Sequence, residues 1–295
     1  MLLLLAWAAV VGRSVLLALL ELALSNPEYS HILLVIPVVL AFLFLERRAP
    51  LAEPRSSAIV AGMLAVLAMA AWLLAPSLSG ADGLNLTMRV AALVLVVWAI
   101  VNLTYGAGFF RANLFPMLFL LLLIPLPLSA VAKLTVALQW GSTVAAYWLF
   151  KISGVPVTRD GFVLSLPSMD IEVAKECSGI RSTVLLLITA IVLGQWYLRS
   201  GWRKALLALA VLPVGILRNG LRIYVLSMLA TYVDEGWLEG NLHHRGGVVF
   251  FIFGLALILL MLWILRRSPG EGSRIEIREG LQVGVIAIGS GDPRA

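Results

Sequence analysis

Apolar residues fall along this chain in long blocks separated by short polar turns, at about 3–24, 31–45, 57–76, 88–105, 113–128, 178–198, 204–232 and 247–265. Most are roughly 17 to 25 residues long, the length at which a helix rising 1.5 Å per residue crosses about 30 Å of hydrocarbon. They predict about eight transmembrane helices, and the fold class is an all-α polytopic membrane protein. The first block carries Arg13 and Glu21 within its apolar run and lacks a small-residue cleavage pattern, so it reads as a span and not as a signal peptide. Two stretches depart from the pattern. Segment 129–152 carries Lys133, Gln139, Trp140 and Lys151 and reads as a helix lying on or dipping into the outer leaflet. The competing reading is a ninth crossing, which would move Cys177 to the cytoplasmic side. Residues 154–174 lose helical character altogether: Pro156, a polar TRDG turn, alternating Phe162, Leu164 and Leu166, then Ile171 and Val173 predict a small β-hairpin above the membrane.

Basic residues sort the turns between blocks. ERRAPLAEPR (46–55), RSGWRK (199–204), Arg111 and the Arg266-Arg267 pair mark cytoplasmic sides, whereas SNPEYS (25–30) and SLSGADGLN (77–85) contain no Lys or Arg and should face outward. Eight crossings then put both termini in the cytoplasm and leave 129–177 and 233–246 external. Lys133, Lys151, Arg159 and Lys175 run against this pattern. Residues 1–266 form one transmembrane domain in this reading, and 267–295 form a Gly-rich, charged cytoplasmic tail, weakly structured.

Composition agrees with a bilayer protein: of 295 residues, 61% are hydrophobic and only 13% charged, against about a quarter charged in soluble domains. The net charge of +6 does not point to nucleic acid, because the cations flank apolar blocks instead of forming a patch. A single cysteine excludes an internal disulfide and a thiolate-cluster metal site, and three histidines without HExxH give no basis for a zinc protease. Neither metal nor cofactor is expected.

Cys177 is that cysteine, within AKECSGIRS (174–182) at the start of the sixth block. A lone cysteine is ordinarily a small inert hydrophobe. Here Ser178 is a candidate N-cap, and the helix N-terminus with Lys175 and Arg181 nearby forms the electropositive setting of a nucleophilic thiolate. The seventh block places Arg218 and Arg222 in apolar surroundings, where each unpaired guanidinium costs at least about 2.5–3.5 kcal/mol on insertion scales. They either pair with Glu176, Asp170 or backbone carbonyls, snorkel to the surface, or line a polar cavity at a helix bent by Pro213 or Gly220. As one helix, 204–232 would be ~43 Å long, so it must tilt or protrude, leaving Arg222 in the outer half and Arg218 one turn deeper. His243 and His244 stand at the external mouth of the last block, and His31 at the outer boundary of the second. Cysteine, arginine and histidine at the outer ends of different helices comprise a nucleophile, an oxyanion partner and an acid/base.

These motifs resemble those of the exosortase/archaeosortase family over about residues 25–260. NPEYSH (26–31) is similar to the family's Tyr-Ser-His turn before a Pro-containing span, here with Pro37, and PMLFLLLLIPLP (116–127) with GVPVTRDG (154–161) to its central region. ECSGIRS (176–182), NGLRI (219–223) and His243 before Gly247 resemble its Cys, Arg, His set; Val248 stands where many members have Trp. The resemblance implies a cysteine peptidase/transpeptidase with Cys177, Arg222 and His243 as catalytic residues, and His244, Arg218, Arg181, Glu176, Ser178 and His31 as pocket or alternative positions. It implies exported substrate proteins bearing a C-terminal Pro-Glu-Pro type sorting signal, a transmembrane helix and a basic tail, with a lipid or polymer as acceptor. The competing function is a non-enzymatic carrier or accessory subunit of envelope polysaccharide export, its arginines binding lipid-linked phosphate.

Overall fold

A computed structural model of the protein describes residues 10–45, 57–78, 80, 82–232 and 247–267. The predicted blocks become helices α1 (Arg13–Ser25), α2 (Ile32–Leu45), α3 (Ala58–Leu74), α4 (Leu84–Ala112), α5 (Leu114–Phe119), α6 (Leu128–Ile152), α7 (Ile180–Tyr197), α8 (Gly201–Leu209), α9 (Val211–Tyr232) and α10 (Gly247–Arg267). Three strands, β1 (Thr158–Asp160), β2 (Val163–Ser165) and β3 (Asp170–Glu172), separate α6 from α7. Among the described residues, six helices are long and apolar enough to cross a membrane, or seven when the bent α5–α6 pair is one span. The chain is an all-α polytopic membrane protein with a small sheet. It forms two compact units, residues 1–137 and 138–295, whose boundary falls inside α6. The loop 46–55, the tail 268–295 and the turn 233–246 lie outside the described residues.

In the first unit the helices turn a soluble protein inside out. α3 buries the small Ala61 and Ala68 and exposes Ile59, Met63 and Val66, the arrangement expected when the solvent is hydrocarbon and close helix approach needs small side chains. The fifth block is not the straight crossing that its apolarity predicts. α5 passes into a 3-10 turn at Leu120–Leu123, and α6 leaves at 95° to that segment. Pro125 and Pro127 explain the break: each lacks an N–H and disfavours helical geometry in the residue before it. The backbone freed there is held by polar side chains. The Tyr29 hydroxyl donates to the Leu126 carbonyl at 2.8 Å and Thr87 Oγ1 to that of Pro125 at 2.9 Å. Both Asp82 carboxylate oxygens accept from the Ser129 N–H at 2.9 Å, capping α6 from 47 positions earlier.

The second unit holds residues 138–152 of α6, the sheet and α7 to α10. The hairpin expected over 154–174 is a three-stranded antiparallel meander, because Ile171 and its neighbours pair back onto β2, with Val163 opposite Glu172 and Ser165 opposite Asp170. Its inner face buries Leu164, Leu166 and Val173 against Ala146 and Phe150 of α6 and Ile223 of α9. The block 204–232 lies within one membrane-length span, Gly201–Tyr232. It is interrupted only by a single turn residue, Ala210, which keeps right-handed helical geometry and through which the helical bonds Ala210 N–H to Leu206 carbonyl and Val214 N–H to Ala210 carbonyl continue. Helix α8 ends at Leu209 and α9 starts at Val211; Pro213, in the first turn of α9, has no N–H to give the Leu209 carbonyl, which accounts for the local irregularity. Gly220 is instead a point of close approach: a Cβ there would lie 2.6 Å from that of Ala145 and 3.1 Å from the backbone N of Ala146.

One end of this unit is fastened by cations. Buried Arg203 donates through Nη1 to the Leu265 carbonyl at 3.1 Å, and Lys204 Nζ to Gln195 Oε1 at 2.7 Å. Arg266 lies over the Tyr197 ring and Arg267 over that of Trp263. Basic residues interleaved with aromatics are what a membrane interface selects.

Candidate active site

Cys177 lies in a short strap between β3 and α7. Residues Lys175–Ser178 form one 3-10 turn, in which the Cys177 N–H donates to the Ala174 carbonyl at 3.0 Å. The strap ends at Gly179 with φ 73° and ψ 15°, a left-handed geometry glycine adopts without the Cβ clash other residues meet. Ser178 was expected to cap the helix, but Gly179 holds the N-cap position and no side chain caps it. Ser178 is buried instead, its hydroxyl without a hydrogen-bond partner. The Gly179 carbonyl accepts from the Thr183 N–H, Thr183 Oγ1 and Ser182 Oγ at 2.9–3.0 Å, which starts α7.

Three side chains from two helices hold this strap. Gln139 of α6 donates through Nε2 to the Val173 carbonyl, and Asn219 of α9 donates through Nδ2 to the carbonyl of Cys177 itself. Next to Asn219, Arg218 reaches the Gly179 carbonyl through Nη2 at 3.4 Å. Its stem passes Gly254 of α10, where a Cβ would come within 3.0 Å of Arg218 Cδ. Among the described residues, the partner Arg218 meets is the Gly179 backbone carbonyl, while Asp170 sits exposed on β3.

The Cys177 side chain is half-buried and packs on the cluster containing Ile171, Val173, Ile223 and Tyr224. The Cys177 carbonyl is thus tied to α9 at Asn219, three positions before the half-buried Arg222, and its side chain packs on the cluster to which Ile223 of α9 belongs. Arg181 is exposed on the first turn of α7. His31 belongs to the other unit, where it is half-buried at the start of α2 with Nδ1 3.1 Å from the Glu28 carbonyl. The side chain of Glu176, and His243 and His244 entirely, lie outside the described residues.

Of the three side chains that hold the strap, only Arg218 stands out in the sequence. Asn219 was visible only as part of NGLRI, and Gln139 only as a departure from apolarity. Both are amides inside membrane-length helices, where an unpaired polar group is costly, and that was the available signal.

The fold and this strap define a polytopic membrane protein with a half-buried thiol at a helix start, two residues from the Gly179 carbonyl that Arg218 of the membrane-length helix α9 reaches. The sequence model of the transmembrane exosortase family matches residues 23–261, about four-fifths of the chain, and the protein belongs to that family. Membership places it in general terms among membrane transpeptidases concerned with protein sorting. No curated protein and no solved structure matches the chain.

Proposed function

We propose that the protein is a cysteine transpeptidase that cleaves a C-terminal sorting signal, of Pro-Glu-Pro type followed by a transmembrane helix and a basic tail, from exported proteins. The observation that carries this reading is the placement of its only cysteine: Cys177 stands at a membrane-length helix start, its carbonyl tied to the turn of α9 that carries Arg222. In the reaction, Cys177 Sγ attacks the scissile carbonyl carbon and forms a thioester with the N-terminal portion. The C–N bond breaks, and the amine leaves with the membrane anchor after taking a proton from His243. Arg222 stabilises the oxyanion, a contribution typically worth about 2.7–4 kcal/mol for one donor. In the second step His243 takes a proton from the acceptor, water or an amine of a lipid or polymer, whose attack on the thioester breaks the C–S bond and releases Cys177 as the thiolate beside protonated His243.

The geometry of α7 supports an active site at one membrane face. Its 18 residues rise ~27 Å, close to the hydrocarbon thickness. Cys177 at its start and the cation-rich end around Arg203 and Arg266 are therefore on opposite sides. With the cation-rich end cytoplasmic, the thiol faces outward from the cytoplasmic membrane and both termini are inside. Residues 1–266 act as one transmembrane domain, with 267–295 as its cytoplasmic tail.

In the competing carrier reading the arginines would bind a lipid-linked phosphate, and Cys177 would be dispensable. The test is processing of a coexpressed membrane-anchored protein with a C-terminal sorting signal. Cys177→Ala and Arg222→Ala should each abolish cleavage with the enzyme still present in the membrane, and His243→Ala should do so where His244→Ala does not. Normal cleavage by Cys177→Ala would overturn the proposal; loss only in His244→Ala would move the acid/base role by one residue.

A further inference from the structure

Asn219 has no role in the proposed chemistry, yet it is 1% exposed within a membrane-length helix and makes a direct bond to the residue that carries the thiol. From its geometry we infer that Asn219 is a positioning residue, a backbone clamp that holds Cys177 in the orientation its reaction requires. This inference rests on the thiol being the nucleophile.

The strap needs such a clamp. The strap is tied to the sheet at one end by the Val173 N–H to Phe162 carbonyl bond and to α7 at the other by the Thr183 N–H to Gly179 carbonyl bond. Between them its backbone bonding is that of the single 3-10 turn at Lys175–Ser178, in which the Cys177 N–H donates to the Ala174 carbonyl. Gly179 supplies the left-handed bend and, by itself, also the freedom to leave it. The carbonyls at Val173, Cys177 and Gly179 are the places where outside groups restrain it, and the middle one belongs to the nucleophile. Rotation about the Cys177 backbone is limited by where its carbonyl points. A bond from a buried amide on a helix fixes that direction far better than one from water.

The fit is close. A Cβ on Gly179 would stand 3.0 Å from Asn219 Oδ1 and 2.8 Å from Arg218 Nη2, so the strap backbone lies directly on the two side chains. Asn219 Oδ1 itself is buried without a hydrogen-bond partner. A carboxamide that leaves one buried atom unsatisfied is retained against a stability penalty, which favours a role beyond packing. Nor would a hydrophobic side chain at 219 suit the site, since it would leave the Cys177 carbonyl without its donor.

The only cysteine makes the test direct, because every alkylation event in the full-length protein reports on Cys177. In membranes, the rates of modification by iodoacetamide and by a bulky maleimide are compared for the unaltered protein, Asn219→Asp and Asn219→Ser. The first is nearly isosteric, and the second keeps a small polar group too short to reach. A thiol held half-buried should discriminate strongly between the two reagents. Both substitutions should lower that discrimination at least fivefold and slow processing at least tenfold. Melting temperature in detergent should stay close to that of Ser227→Ala, which removes another buried polar side chain from α9.

A purely structural Asn219 would lower the melting temperature and leave both the discrimination and the processing rate of the folded fraction unchanged; that result overturns the clamp. Wild-type processing by Asn219→Asp or Asn219→Ser, in a system where Cys177→Ala is inactive, overturns it too while sparing the cysteine mechanism. If Cys177→Ala itself processes normally, the mechanism falls, and the alkylation ratio alone decides whether Asn219 holds the thiol.

Discussion

Gly179 concentrates the demands made on a single residue. It combines φ of 73° with side-chain atoms of Arg218 and Asn219 at 2.8 and 3.0 Å from where a Cβ would stand. Left-handed geometry alone costs an L-residue about 1–2 kcal/mol, and the added methyl would also push against both clamp residues. Gly179→Ala should therefore be destabilised by more than that figure and should lose processing. Gly201→Ala, where a Cβ would meet nothing within 4 Å, should match the unaltered protein in detergent melting and cleavage. Arg203 poses a different case at the same scale. In the sequence it reads as a topology signal, whereas its guanidinium is buried and caps the end of α10 through the Leu265 carbonyl. Removing the donor leaves that carbonyl unsatisfied, typically a loss of about 1–3 kcal/mol. Arg203→Met should lower the melting temperature with orientation unchanged, because Arg199, Lys204, Arg266 and Arg267 still mark that side.

Among elements, α6 and α9 show what an apolar pattern conveys and what it conceals. Hydropathy marked α9 as a span, since length and apolarity are what a bilayer requires of one. It placed 129–152 beside the membrane on the strength of four polar or aromatic residues. In the structure Thr135, Gln139, Ser142 and Thr143 are buried polar positions of one 25-residue helix. A polar side chain facing protein and one facing headgroups look alike in sequence. The prolines of IPLP mark a break before α6, but the 95° turn is held by Tyr29, Thr87 and Asp82, distant in the chain, so its geometry is not legible locally. The same holds at the site: the composition of ECSGIRS and NGLRI was legible, but the bond from Asn219 to the Cys177 carbonyl joins positions 42 apart. Where α6 meets α9, Gly220 faces Ala145 and the backbone of Ser142 and Ala146. Backbone cannot move aside as a flexible side chain can, and overpacking of this kind costs typically 1–3 kcal/mol. Gly220→Ala should reduce the yield of folded protein and its melting temperature, whereas Gly62→Ala, with open space around it on α3, should be neutral.

For the molecule as a whole, the decisive property is the side of the membrane on which its thiol lies. Two readings of α6 compete: with eight crossings Cys177 faces outward, and with an additional crossing it faces the cytoplasm. The basic end of α7 to α10, with Arg199, Arg203, Lys204, Arg266 and Arg267, is the cytoplasmic side in the eight-crossing reading, and Lys151, Arg159, Lys175 and Arg181 near the strap run against that assignment. Helix α7 separates the two groups by ~27 Å, so they cannot share a side. Because Cys177 is the only thiol, a membrane-impermeant maleimide applied to intact cells should label the protein without permeabilisation, and Cys177→Ala should abolish the signal. A reporter that fluoresces only in the cytoplasm, fused after Arg267, should be bright in the same cells. Labelling that appears only after permeabilisation, despite rapid reaction of the solubilised protein, would put the thiol inside. It would also show that a sorting reaction on exported chains cannot begin at Cys177.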